Sequence, residues 1–435
     1  MNLLFANDRP GQFPPSWYAA TAAIPPASPP LDGDARTDVC VIGGGYTGLS
    51  AALHLAQAGM GVTLIEAHRV GFGASGRNGG QVGSGQRIDQ ITLEKQLGRG
   101  DARRLWDLGE EAKTLVRDLI VDARIDARWT PGIAWAEETA KGTEHLHHYV
   151  EKLAHEYGYA RVEPVDAAHA PEAFGSHLFK GGMIDWGAAH IHPLRYAFGL
   201  ARAARANGAV VHEGTLARKV RRDGDGWAVE TDHGTLRAGH VVMAGNGYLE
   251  GLNGRVARHV MPINNFIIAT EPLGDLGKSL LPRGNAVADS RFVVNYWRLS
   301  EDGRLLFGGG ESYGYRFPAD ITAVVRKPML RIYPQLAGAR IDHAWGGTLA
   351  ITRSRMPFFC APEPGLWSVS GYSGHGVAMA TLAGKIAAAA IGGDAAKWDA
   401  FANIAPPAFP GGRALRSPLL ALAMSWFALR DRLGI

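Results

Sequence analysis

Apolar positions near the start of the chain follow the period of a strand, then of a helix, then of a strand again. Residues 39–42 form a short apolar run with branched side chains, which is typical of a buried strand. Leu49, Leu53 and Ala56 recur at helical spacing. A second apolar run covers residues 62–65. The pattern therefore predicts a βαβ unit, in which a helix joins two parallel strands.

Three glycines and one carboxylate give this unit a chemical signature. Gly43, Gly45 and Gly48 form the pattern G-x-G-x-x-G, which permits a tight turn, close approach to a pyrophosphate and close helix-to-strand contact. Glu66 ends the second strand, where a carboxylate binds a free ribose 2'-hydroxyl and would repel a 2'-phosphate. A glycine pattern alone also occurs in ordinary turns. The complete set predicts a dinucleotide, either FAD or NAD and not NADP.

The following loop, residues 71–86, is rich in glycine. Ser75, Arg77, Asn78 and Gln81 lie among its glycines. Glycines allow backbone amides to face a flat or anionic ligand, and the polar side chains can hydrogen-bond it. A flexible linker is the alternative, but the position directly after the dinucleotide unit favours a loop that wraps the cofactor.

Helical and strand-like stretches alternate along the rest of the chain. Helices are predicted in residues 88–122, 141–157, 377–391 and the part of 181–206 after Pro193. Strands are predicted at the start of 181–206, in 210–213 with a hairpin reaching residue 231, and in 240–244, 263–270, 292–299, 304–309 and 366–372. Residues 129–136 are predicted to form a strand pair about Pro131 and Gly132.

These elements predict a fold of mixed α/β and α+β class. A Rossmann-like domain of the glutathione-reductase-like type would bind the nucleotide, and an antiparallel-sheet substrate domain would be inserted in it. The expected parts are an extended N-terminal leader (1–35), a discontinuous nucleotide-binding domain (36–90, 194–260 and 345–395), a substrate domain (91–193 and 261–344) and a C-terminal amphipathic tail (396–435).

Composition and charge exclude several classes of partner. The 435 residues suffice for two domains, and 46% apolar and 20% charged residues are ordinary for a globular enzyme. The net charge of +4 is spread along the chain, and the basic cluster at residues 218–222 is expected to be a solvated hairpin end, so no nucleic-acid partner is expected. His145, His147 and His148 lack a carboxylate at metal-ligand spacing, so no metal is expected.

The sequence also predicts a cytoplasmic protein. Cys40 and Cys360 cannot form a disulfide framework. The N-terminal residues lack the regions of a secretory signal, and no apolar run approaches the roughly 20 residues that span a bilayer. Residues 415–433 form an amphipathic stretch, for which a helix docked on the protein is favoured over peripheral contact with a membrane. The oligomeric state stays open.

Eight segments, in order along nearly the whole chain, resemble the D-amino acid oxidase superfamily of FAD-dependent amine oxidoreductases, which includes glycine and sarcosine oxidases. The segments are PPSWYAATA, VIGGGYTGLSAALHLA, EAHRVGFGASGRNGGQ, AAHIHPLRYAFGLARAA, VVMAGNGYL, FVVNYWRLSEDGRLLFGGG, WGGTLAITRSRMPFF and SGYSGHGVAMATLAGKIAAAAIGG. The first segment and the loop at residue 71 are specific for one subgroup, whereas the glycine pattern alone is generic.

The resemblance implies that the dinucleotide is FAD, bound in an extended form. Its pyrophosphate would lie at the glycine turn, its ribose at Glu66, its adenine near the backbone of Val220 and its flavin ring along the 71–86 loop. Residues 374–376 would stabilise negative charge at N1 and O2 of the ring. The implied FAD-binding residues are Gly43, Gly45, Tyr46, Thr47, Gly48, Glu66, Ala67, Arg69, Gly73, Ala74, Ser75, Arg77, Asn78, Gly79, Gly80, Gln81, Val220, Gly245, Gly374, His375, Gly376 and Val377.

The resemblance also indicates how FAD is held. Sarcosine oxidases of the superfamily tether FAD through a cysteine shortly after a tryptophan, in the segment that matches Trp345 to Gly347. Because that position is Gly347 here, we expect noncovalent FAD. Cys360 lies too far along the chain and is expected to be a small buried residue.

Candidate substrate contacts come from the predicted hairpin at residues 292–309 and from scattered aromatic residues. An aromatic pocket would lower the pKa of the substrate amine, and Tyr296, Trp297, Trp135 and Trp345 are candidate walls, although each could instead be a core residue. A substrate carboxylate would pair with a guanidinium, for which Arg298 and Arg291 are the candidates. His375 is the histidine expected to act in catalysis, whereas a structural role is expected for His192.

The resemblance implies an enzyme that oxidises CH-NH2 or CH-NH groups. The expected reaction is oxidative deamination of gamma-glutamylputrescine, with hydride transfer to flavin N5, O2 as acceptor, and aldehyde, ammonia and H2O2 as products. One alternative is a D-amino acid or N-methyl amino acid dehydrogenase that passes electrons to a quinone or a protein. The other is a flavoprotein with structural FAD that binds a partner. Reduction of the flavin by substrate separates the last class from both enzymes.

Overall fold

Two β-sheets form the framework of the protein. The computed structural model describes residues 2–249, 251–291, 293–312 and 314–411. The first sheet contains β1 (Ala35–Ile42), β2 (Val62–Ile65), β7 (Val210–His212), β8 (Ala217–Asp223), β9 (Gly226–Thr231), β10 (Gly234–Met243), β16 (Phe358–Glu363) and β17 (Leu366–Ser370). The second sheet contains β3 (Gln81–Val82), β4 (Thr130–Glu137), β5 (Val162–Val165), β6 (Gly181–His190), β11 (Met261–Thr270), β12 (Ala286–Asp289), β13 (Tyr296–Leu299), β14 (Leu305–Ser312) and β15 (Ile341–Ile351).

The helices pack on both sheets or lie between them. They are α1 (Leu3–Ala6), α2 (Trp17–Thr21), α3 (Tyr46–Gln57), α4 (Gln90–Leu97), α5 (Arg99–Asp122), α6 (Ala140–Tyr157), α7 (Ala170–Phe174), α8 (Pro193–Ala206), α9 (Gly254–His259), α10 (Asp275–Leu280), α11 (Ile321–Ile332), α12 (Gly376–Ile391) and α13 (Ala396–Ala402). No single helix of the described residues is long and apolar enough to cross a membrane, although α12 and α13, bent by 119°, pass that test together.

The centre of the first sheet is parallel. Its strands follow the order β17-β10-β1-β2-β7, with β16 antiparallel to β17 and β9 antiparallel to β10. Strand β2 and the last four residues of β1 are buried throughout, because α3, α5, α8 and α12 cover one face and a second apolar cluster around Trp227 covers the other. This arrangement confirms the predicted Rossmann-like fold.

The second sheet is mainly antiparallel and has one face in a core and one in a cavity. Its order is β15-β11-β14-β13-β12-β4-β6-β3, with only β12 and β4 running parallel among its described pairs. Ala134, Ile184, Val287 and Trp297 belong to a core shared with α7 and α11. Their neighbours in sequence point to the opposite face, because side chains alternate along a strand. This second face forms part of the cavity described below.

Two helices of the first sheet's covering layer begin at the same place. Helices α3 and α12 cross closely because Gly384 has no side chain; a Cβ there would lie 2.3 Å from the carbonyl oxygen of Thr47. Ser50 Oγ also donates to the carbonyl of Thr381 at 2.6 Å. The crossing brings the N-terminal ends of both helices to one cavity.

Several predicted elements differ from the structure. Residues 129–136 are not a strand pair: β4 continues through Pro131 and Gly132 with a bulge in its pairing to β6. The predicted helix over 88–122 is two helices, divided at Gly98, which has a φ of +82°. The strand predicted over 292–299 begins at residue 296. Phe292 and the predicted tail at 415–433 lie outside the described residues.

One predicted domain limit divides a strand, and one predicted domain assignment differs from the packing. Strand β15 belongs wholly to the second sheet, whereas the boundary expected at residue 345 would divide it. Helix α5 shares an apolar core with α12, although residues 91–193 were expected to belong to the substrate part. The N-terminal leader is not fully extended, since it contains α1 and α2. The division into domains otherwise stays a prediction.

Candidate active site

A continuous cavity of about 520 Å³ extends from the glycine turn after β1 to the inner face of the second sheet. At one end it is lined by Gly43 and Glu66, and at the other by Trp135 and Tyr296. Because the ends belong to different sheets, one elongated ligand and a smaller one can meet inside this cavity. Such placement between structural layers is typical of cofactor sites.

The glycine turn is built so that only glycine fits at its first position. Gly43 has a φ of +114°, and a Cβ there would lie 2.9 Å from the carbonyl oxygen of Ala244 on the neighbouring strand. At Gly48 a Cβ would lie 1.9 Å from the carbonyl oxygen of Gly43. Helix α3 then begins without a cap from its N-cap side chain, although the Tyr46 amide donates to Ser75 Oγ at 3.0 Å. The amides that follow Tyr46 and the positive dipole end are available for a phosphate group.

Glu66 is held in place by two backbone amides. Its Oε2 accepts a hydrogen bond from the Gly44 amide at 2.7 Å, and its Oε1 accepts one from the His68 amide at 2.9 Å. Burial raises the pKa of Glu66, while these amides oppose the shift. The carboxylate lines the cavity and retains acceptor sites for a ribose hydroxyl pair.

Helix α12 brings a second set of amides to the cavity. It starts at Gly376 with His375 as N-cap and no side-chain cap. His375 Nε2 donates to the carbonyl oxygen of Gly85 at 3.2 Å. Burial and the positive charge of Arg87 lower the pKa of His375 to about 4, so the imidazole is neutral at pH 7. The helix dipole, rather than a histidinium charge, therefore faces a ligand here.

The 71–86 loop is fixed by its own side chains and by distant arginines. Asn78 donates to the carbonyl oxygens of Ala74 and Ser75 at 3.0 and 3.1 Å. The Gly79 carbonyl oxygen accepts from Arg298 Nε at 2.9 Å. A Cβ at Gly79 would lie 2.8 Å from the ring of Tyr296, so the loop backbone packs directly on that ring. The loop is thus pre-organised rather than a flexible linker.

Most of the predicted site residues come together in this one cavity. Those that line it are Gly43, Gly45, Tyr46, Thr47, Glu66, Ala67, Gly73, Ala74, Ser75, Asn78, Gly79, Gln81, Gly245, Tyr296, Gly374, His375, Gly376 and Val377. Those that do not are Gly48, Arg69, Arg77, Gly80, Val220, Trp297 and Arg298. The individual roles of the lining residues remain predictions.

Two predicted substrate contacts are corrected by the structure. Trp297 is 1% exposed and stacks on Phe307 in the core of the second sheet, so it cannot form a wall of the pocket. Arg298 donates to the carbonyl oxygens of Gly79 and Ile191, at 2.9 and 3.1 Å, and so fixes the loop instead of facing a substrate. Neither residue lines the cavity that Tyr296 lines.

Three predicted cofactor contacts are also corrected. Arg77 lies behind the loop, where it donates to Asp8 at 2.8 Å and to the Phe72 carbonyl oxygen at 2.6 Å. Arg69 pairs with Glu213 at 3.1 Å. Val220 lies in the hairpin of β8 and β9, away from the cavity wall. Near Glu66 that wall is formed instead by residues 215–217.

Of the other residues predicted to contact the substrate, some line the cavity and some do not. Trp135 lines the cavity, whereas Trp345 is 1% exposed and donates to the Arg77 carbonyl oxygen at 3.0 Å. Arg291 pairs with Glu138 at 2.9 Å and is absent from the cavity wall. His192 is buried and caps α8, as expected of a structural histidine.

Sequence reasoning missed several polar and aromatic residues of the wall. The cavity is also lined by Trp106, Tyr149, Arg87, Ser84 and Asp185, which come from α5, α6, β6, the glycine-rich loop and the residue that follows this loop. The alternation along β6, with Met183 and Asp185 on one face, was a usable signal for the last of these. No local pattern marks the others. Among the described residues no cluster of metal-ligating side chains was found.

These observations fit FAD. The glycine turn, the uncapped start of α3 and the carboxylate of Glu66 suit a pyrophosphate and a ribose, and the cavity continues to a second uncapped helix start at Gly376. Gly374 has a φ of +88°, and a side chain there would point into open space. The cavity is thus lined by backbone where a flat ring must approach.

Comparison with known sequences agrees with this fit. Residues 38–390 match the DAO family, described as FAD dependent oxidoreductase. The chain is 45% identical over 417 residues to a probable oxidoreductase, OrdL, of Rhizobium meliloti, covering 96% of this chain and 97% of the relative. It is 40% identical over 422 residues to the gamma-glutamylputrescine oxidoreductase of Escherichia coli, covering 97% of this chain and 99% of the relative.

Solved structures share the fold. Glycine oxidase from Geobacillus kaustophilus superposes with a TM-score of 0.69 at 22% identity, covering 86% of this chain and 96% of that one. L-proline dehydrogenase from P. horikoshii gives a TM-score of 0.67 at 20% identity, covering 83% and 94%. The sequence matches span nearly whole chains and agree with the geometry of the cavity. The protein is therefore a member of the DAO family of FAD-dependent oxidoreductases, and FAD is its cofactor.

Proposed function

We propose that this enzyme oxidatively deaminates gamma-glutamylputrescine, with O2 as acceptor and an aldehyde, ammonia and hydrogen peroxide as products. The observation that carries the proposal is the cavity that joins the FAD-binding residues to a compartment with aromatic walls and two guanidinium groups, those of Arg87 and Arg355. The similarity to the gamma-glutamylputrescine oxidoreductase of Escherichia coli supports the choice of substrate.

The aromatic compartment would prepare the amine for oxidation. Trp106, Trp135, Tyr149 and Tyr296 line it, and Tyr296 is fixed by donating to Asn265 Oδ1 at 2.6 Å. An apolar wall disfavours the ammonium form and so lowers the pKa of the amine, which must be neutral to be oxidised. Bound FAD supplies the acceptor for the hydride on the carbon next to nitrogen. The walls also hold that carbon in place and limit the access of water.

Arg87 replaces Arg298 and Arg291 as the proposed partner of the substrate carboxylate. Its side chain lines the cavity, and no hydrogen bond or ion pair to it occurs within the described residues. Burial lowers the pKa of Arg87, the charge of Arg355 lowers it further, and Glu311 opposes this. A partly buried guanidinium without a partner is stabilised by a carboxylate, which it can bind through two parallel hydrogen bonds.

The proposal includes noncovalent FAD. A Cβ at Gly347 would lie 3.4 Å from Arg77, and the position carries no thiol. Cys40 and Cys360 are both free and buried, which suits a reducing compartment and our proposal of a cytoplasmic enzyme. Acid precipitation should release all of the flavin into the supernatant. Flavin that stays with the pellet after washing would overturn this part.

The experiment that tests the function measures products in air. Purified enzyme is incubated with gamma-glutamylputrescine, putrescine, sarcosine or D-alanine, and peroxide, ammonia and aldehyde are quantified. We expect equimolar peroxide and ammonia with gamma-glutamylputrescine and little with the others. Turnover that requires an added quinone and yields no peroxide would indicate a dehydrogenase, and turnover of D-alanine alone would replace the substrate.

A further inference from the structure

A closed ring of hydrogen bonds lies behind one wall of the cavity. The Lys113 ammonium donates to Ser84 Oγ and, at 2.9 Å, to the hydroxyl oxygen of Tyr159. Tyr159 donates in turn to Asp185 Oδ1 at 2.6 Å, and Ser84 donates to Asp185 Oδ2. A lysine only donates and an ionised carboxylate only accepts, so both hydroxyl protons point at Asp185.

The ring holds its charges out of water. Lys113 is 6% exposed and Asp185 is 5% exposed. Glu110 adds a second carboxylate to Lys113 at 2.9 Å, and burial raises the pKa of Glu110. One cation therefore faces two carboxylates, which leaves the cluster without excess positive charge. Buried charges are costly unless they are fully partnered or bind a ligand.

Only the acidic end of the ring reaches the cavity. Asp185 and Ser84 line it, whereas Lys113, Tyr159 and Glu110 do not. The group presented to a ligand is therefore the Asp185 carboxylate, next to the Ser84 hydroxyl, which already donates its proton to Asp185. Such a surface suits a cationic hydrogen-bond donor and repels an anion.

The two oxygens of Asp185 are used differently. Oδ1 accepts from Tyr159, from the Gly187 amide at 2.9 Å and from the Ala188 amide at 3.1 Å, which stabilises the turn within β6. Within the described residues Oδ2 accepts only from Ser84. Because a carboxylate offers about four acceptor sites, Oδ2 has one left. The backbone amides account for the contacts of Oδ1. They do not require the hydrogen bond between Oδ2 and Ser84.

We propose that Asp185 binds the α-ammonium group of the gamma-glutamyl head of the substrate, with Ser84, Tyr159 and Lys113 as positioning residues. The inference rests on the proposed function and names how that site selects its substrate. Arg87, three positions after Ser84, would bind the carboxylate of the same head. Two opposite charges in the lining of one cavity match an α-amino acid, and the terminal amine would then be the end free to reach the flavin.

Two substrates that differ in one group provide the test. N-Glutarylputrescine retains the carboxylate, amide and terminal amine of gamma-glutamylputrescine and lacks only the α-ammonium. Anaerobic titration, followed by loss of flavin absorbance, gives the dissociation constant of each. The wild-type enzyme should bind gamma-glutamylputrescine more tightly by on the order of 30-fold, the value of one hydrogen bond between charged groups.

Asp185→Asn should reduce this ratio of dissociation constants to near one, because it weakens the binding of gamma-glutamylputrescine and not that of N-glutarylputrescine. Asparagine keeps the shape and can still accept from the Gly187 and Ala188 amides, so the turn is retained, which FAD content and melting temperature would verify. Ser84→Ala should lower the ratio partly, because Asp185 Oδ2 loses the hydroxyl that positions it. Asp289→Asn is the control, since Asp289 is a buried carboxylate of the same sheet that donor groups of Asn295 hold outside the cavity wall.

Equal binding of both substrates by the wild-type enzyme would overturn the proposal, as would an Asp185→Asn enzyme that keeps the full ratio. In either case the proposed function, oxidation of the terminal amine, would be unaffected. If neither compound reduces the flavin and a different amine does, the proposed function fails instead, and the role of Asp185 falls with it.

Discussion

Charged side chains around the cavity differ in what their hydrogen bonds are used for. Arg77 and Arg298 donate to backbone carbonyl oxygens and to side chains within the fold, which fixes the loop against the flavin site. Arg87 has no described hydrogen-bond partner and faces the cavity. Because Arg77 and Arg298 are held by the fold and do not line the cavity, Arg87 remains our proposed partner of the substrate carboxylate.

Arg87→Met should weaken binding of gamma-glutamylputrescine by about 30-fold, because one charged hydrogen-bonded contact is lost from a partly buried site. Binding of N-acetylputrescine, which lacks the carboxylate, should change little. Arg291→Met is the matched control, since Arg291 pairs with Glu138 away from the cavity wall. Anaerobic titration of the flavin measures all four combinations, and equal losses for both ligands would contradict the assignment.

The buried His192 should make the protein less stable in acid. Its Nδ1 accepts from the Arg195 amide at 3.2 Å, so the ring is neutral. Burial and the charge of Arg195 lower the pKa of His192 to about 2, whereas the unfolded chain titrates near about 6.5. Between these values only the unfolded state binds the proton. The free energy of unfolding therefore falls by about 1.4 kcal/mol per pH unit as the pH drops below 6.5.

His192→Asn should remove this contribution while keeping a side-chain cap on α8, because asparagine is a good N-cap residue. Urea denaturation between pH 4.5 and 7.5 would measure the slope for the wild type and the variant. Substitution of the exposed His155 by asparagine is the control and should leave the slope as it is. A slope that His192→Asn leaves unaltered would show that other groups govern the acid sensitivity.

At the scale of elements, the site depends on two helices that begin at one cavity without side-chain caps. The close crossing at Gly384 aligns α3 with α12, and each start follows a strand of the same parallel sheet. Free amides and the positive ends of two dipoles therefore converge on the region where the phosphates and the ring oxygen of FAD carry negative charge.

Gly43→Ala should weaken FAD binding by on the order of 100-fold, because strain and crowding of about 3 kcal/mol displace the turn. Gly59→Ala is a matched control: its φ is +82°, yet nothing lies within 4 Å of the added Cβ. It should lower stability slightly and leave FAD affinity unchanged. Titration of the apoproteins with FAD would measure both. Equal affinities in the two variants would contradict the crowding argument.

The sequence predicted individual elements well where the signal was local. The apolar run at residues 62–65 became β2 with the same limits, and the glycine spacing located the turn before α3. It failed where a local signal was overridden. Pro131 and Gly132 predict a turn, but β4 continues to pair with β6, and the extra residues of the bulge lie on β6 opposite Gly132. Tertiary pairing outweighed turn propensity there.

The substrate side was predicted less well because it is assembled from distant elements. Tyr296 and Trp297 lie on opposite faces of β13, as expected for neighbours in a strand, but alternation does not indicate which face meets the core. Lys113, Tyr159 and Asp185 come from three elements, and only the fold brings them together. Their clustering could not be read from spacing along the chain.

At the scale of the whole molecule, the N-terminal leader ties the two sheets together over the cofactor site. Leu4 lines the cavity, Trp17 and Tyr18 pack in a core with Trp345, and Asp8 pairs with Arg77 at 2.8 Å. The side chains of this pair are 12% and 1% exposed. An ion pair so well buried is expensive to break from one side.

Asp8→Ala should lower the free energy of unfolding by about 3 kcal/mol, because the Arg77 guanidinium stays buried with one partner fewer. FAD should also dissociate faster, since the leader covers one end of the cavity. Asp34→Ala is the control, because its ion pair with Arg237 is exposed, and it should leave both properties nearly unchanged. Urea denaturation and the release of flavin fluorescence on dilution would measure the two effects.

The central claim is that one cavity holds FAD and gamma-glutamylputrescine so that the amine reduces the flavin. The most direct measurement is anaerobic titration of the purified yellow protein with gamma-glutamylputrescine, followed by admission of air. We predict complete and saturable loss of flavin absorbance, with prompt reoxidation and one peroxide per flavin. Protein that lacks flavin, or flavin that gamma-glutamylputrescine leaves oxidised while a D-amino acid reduces it, would contradict the account.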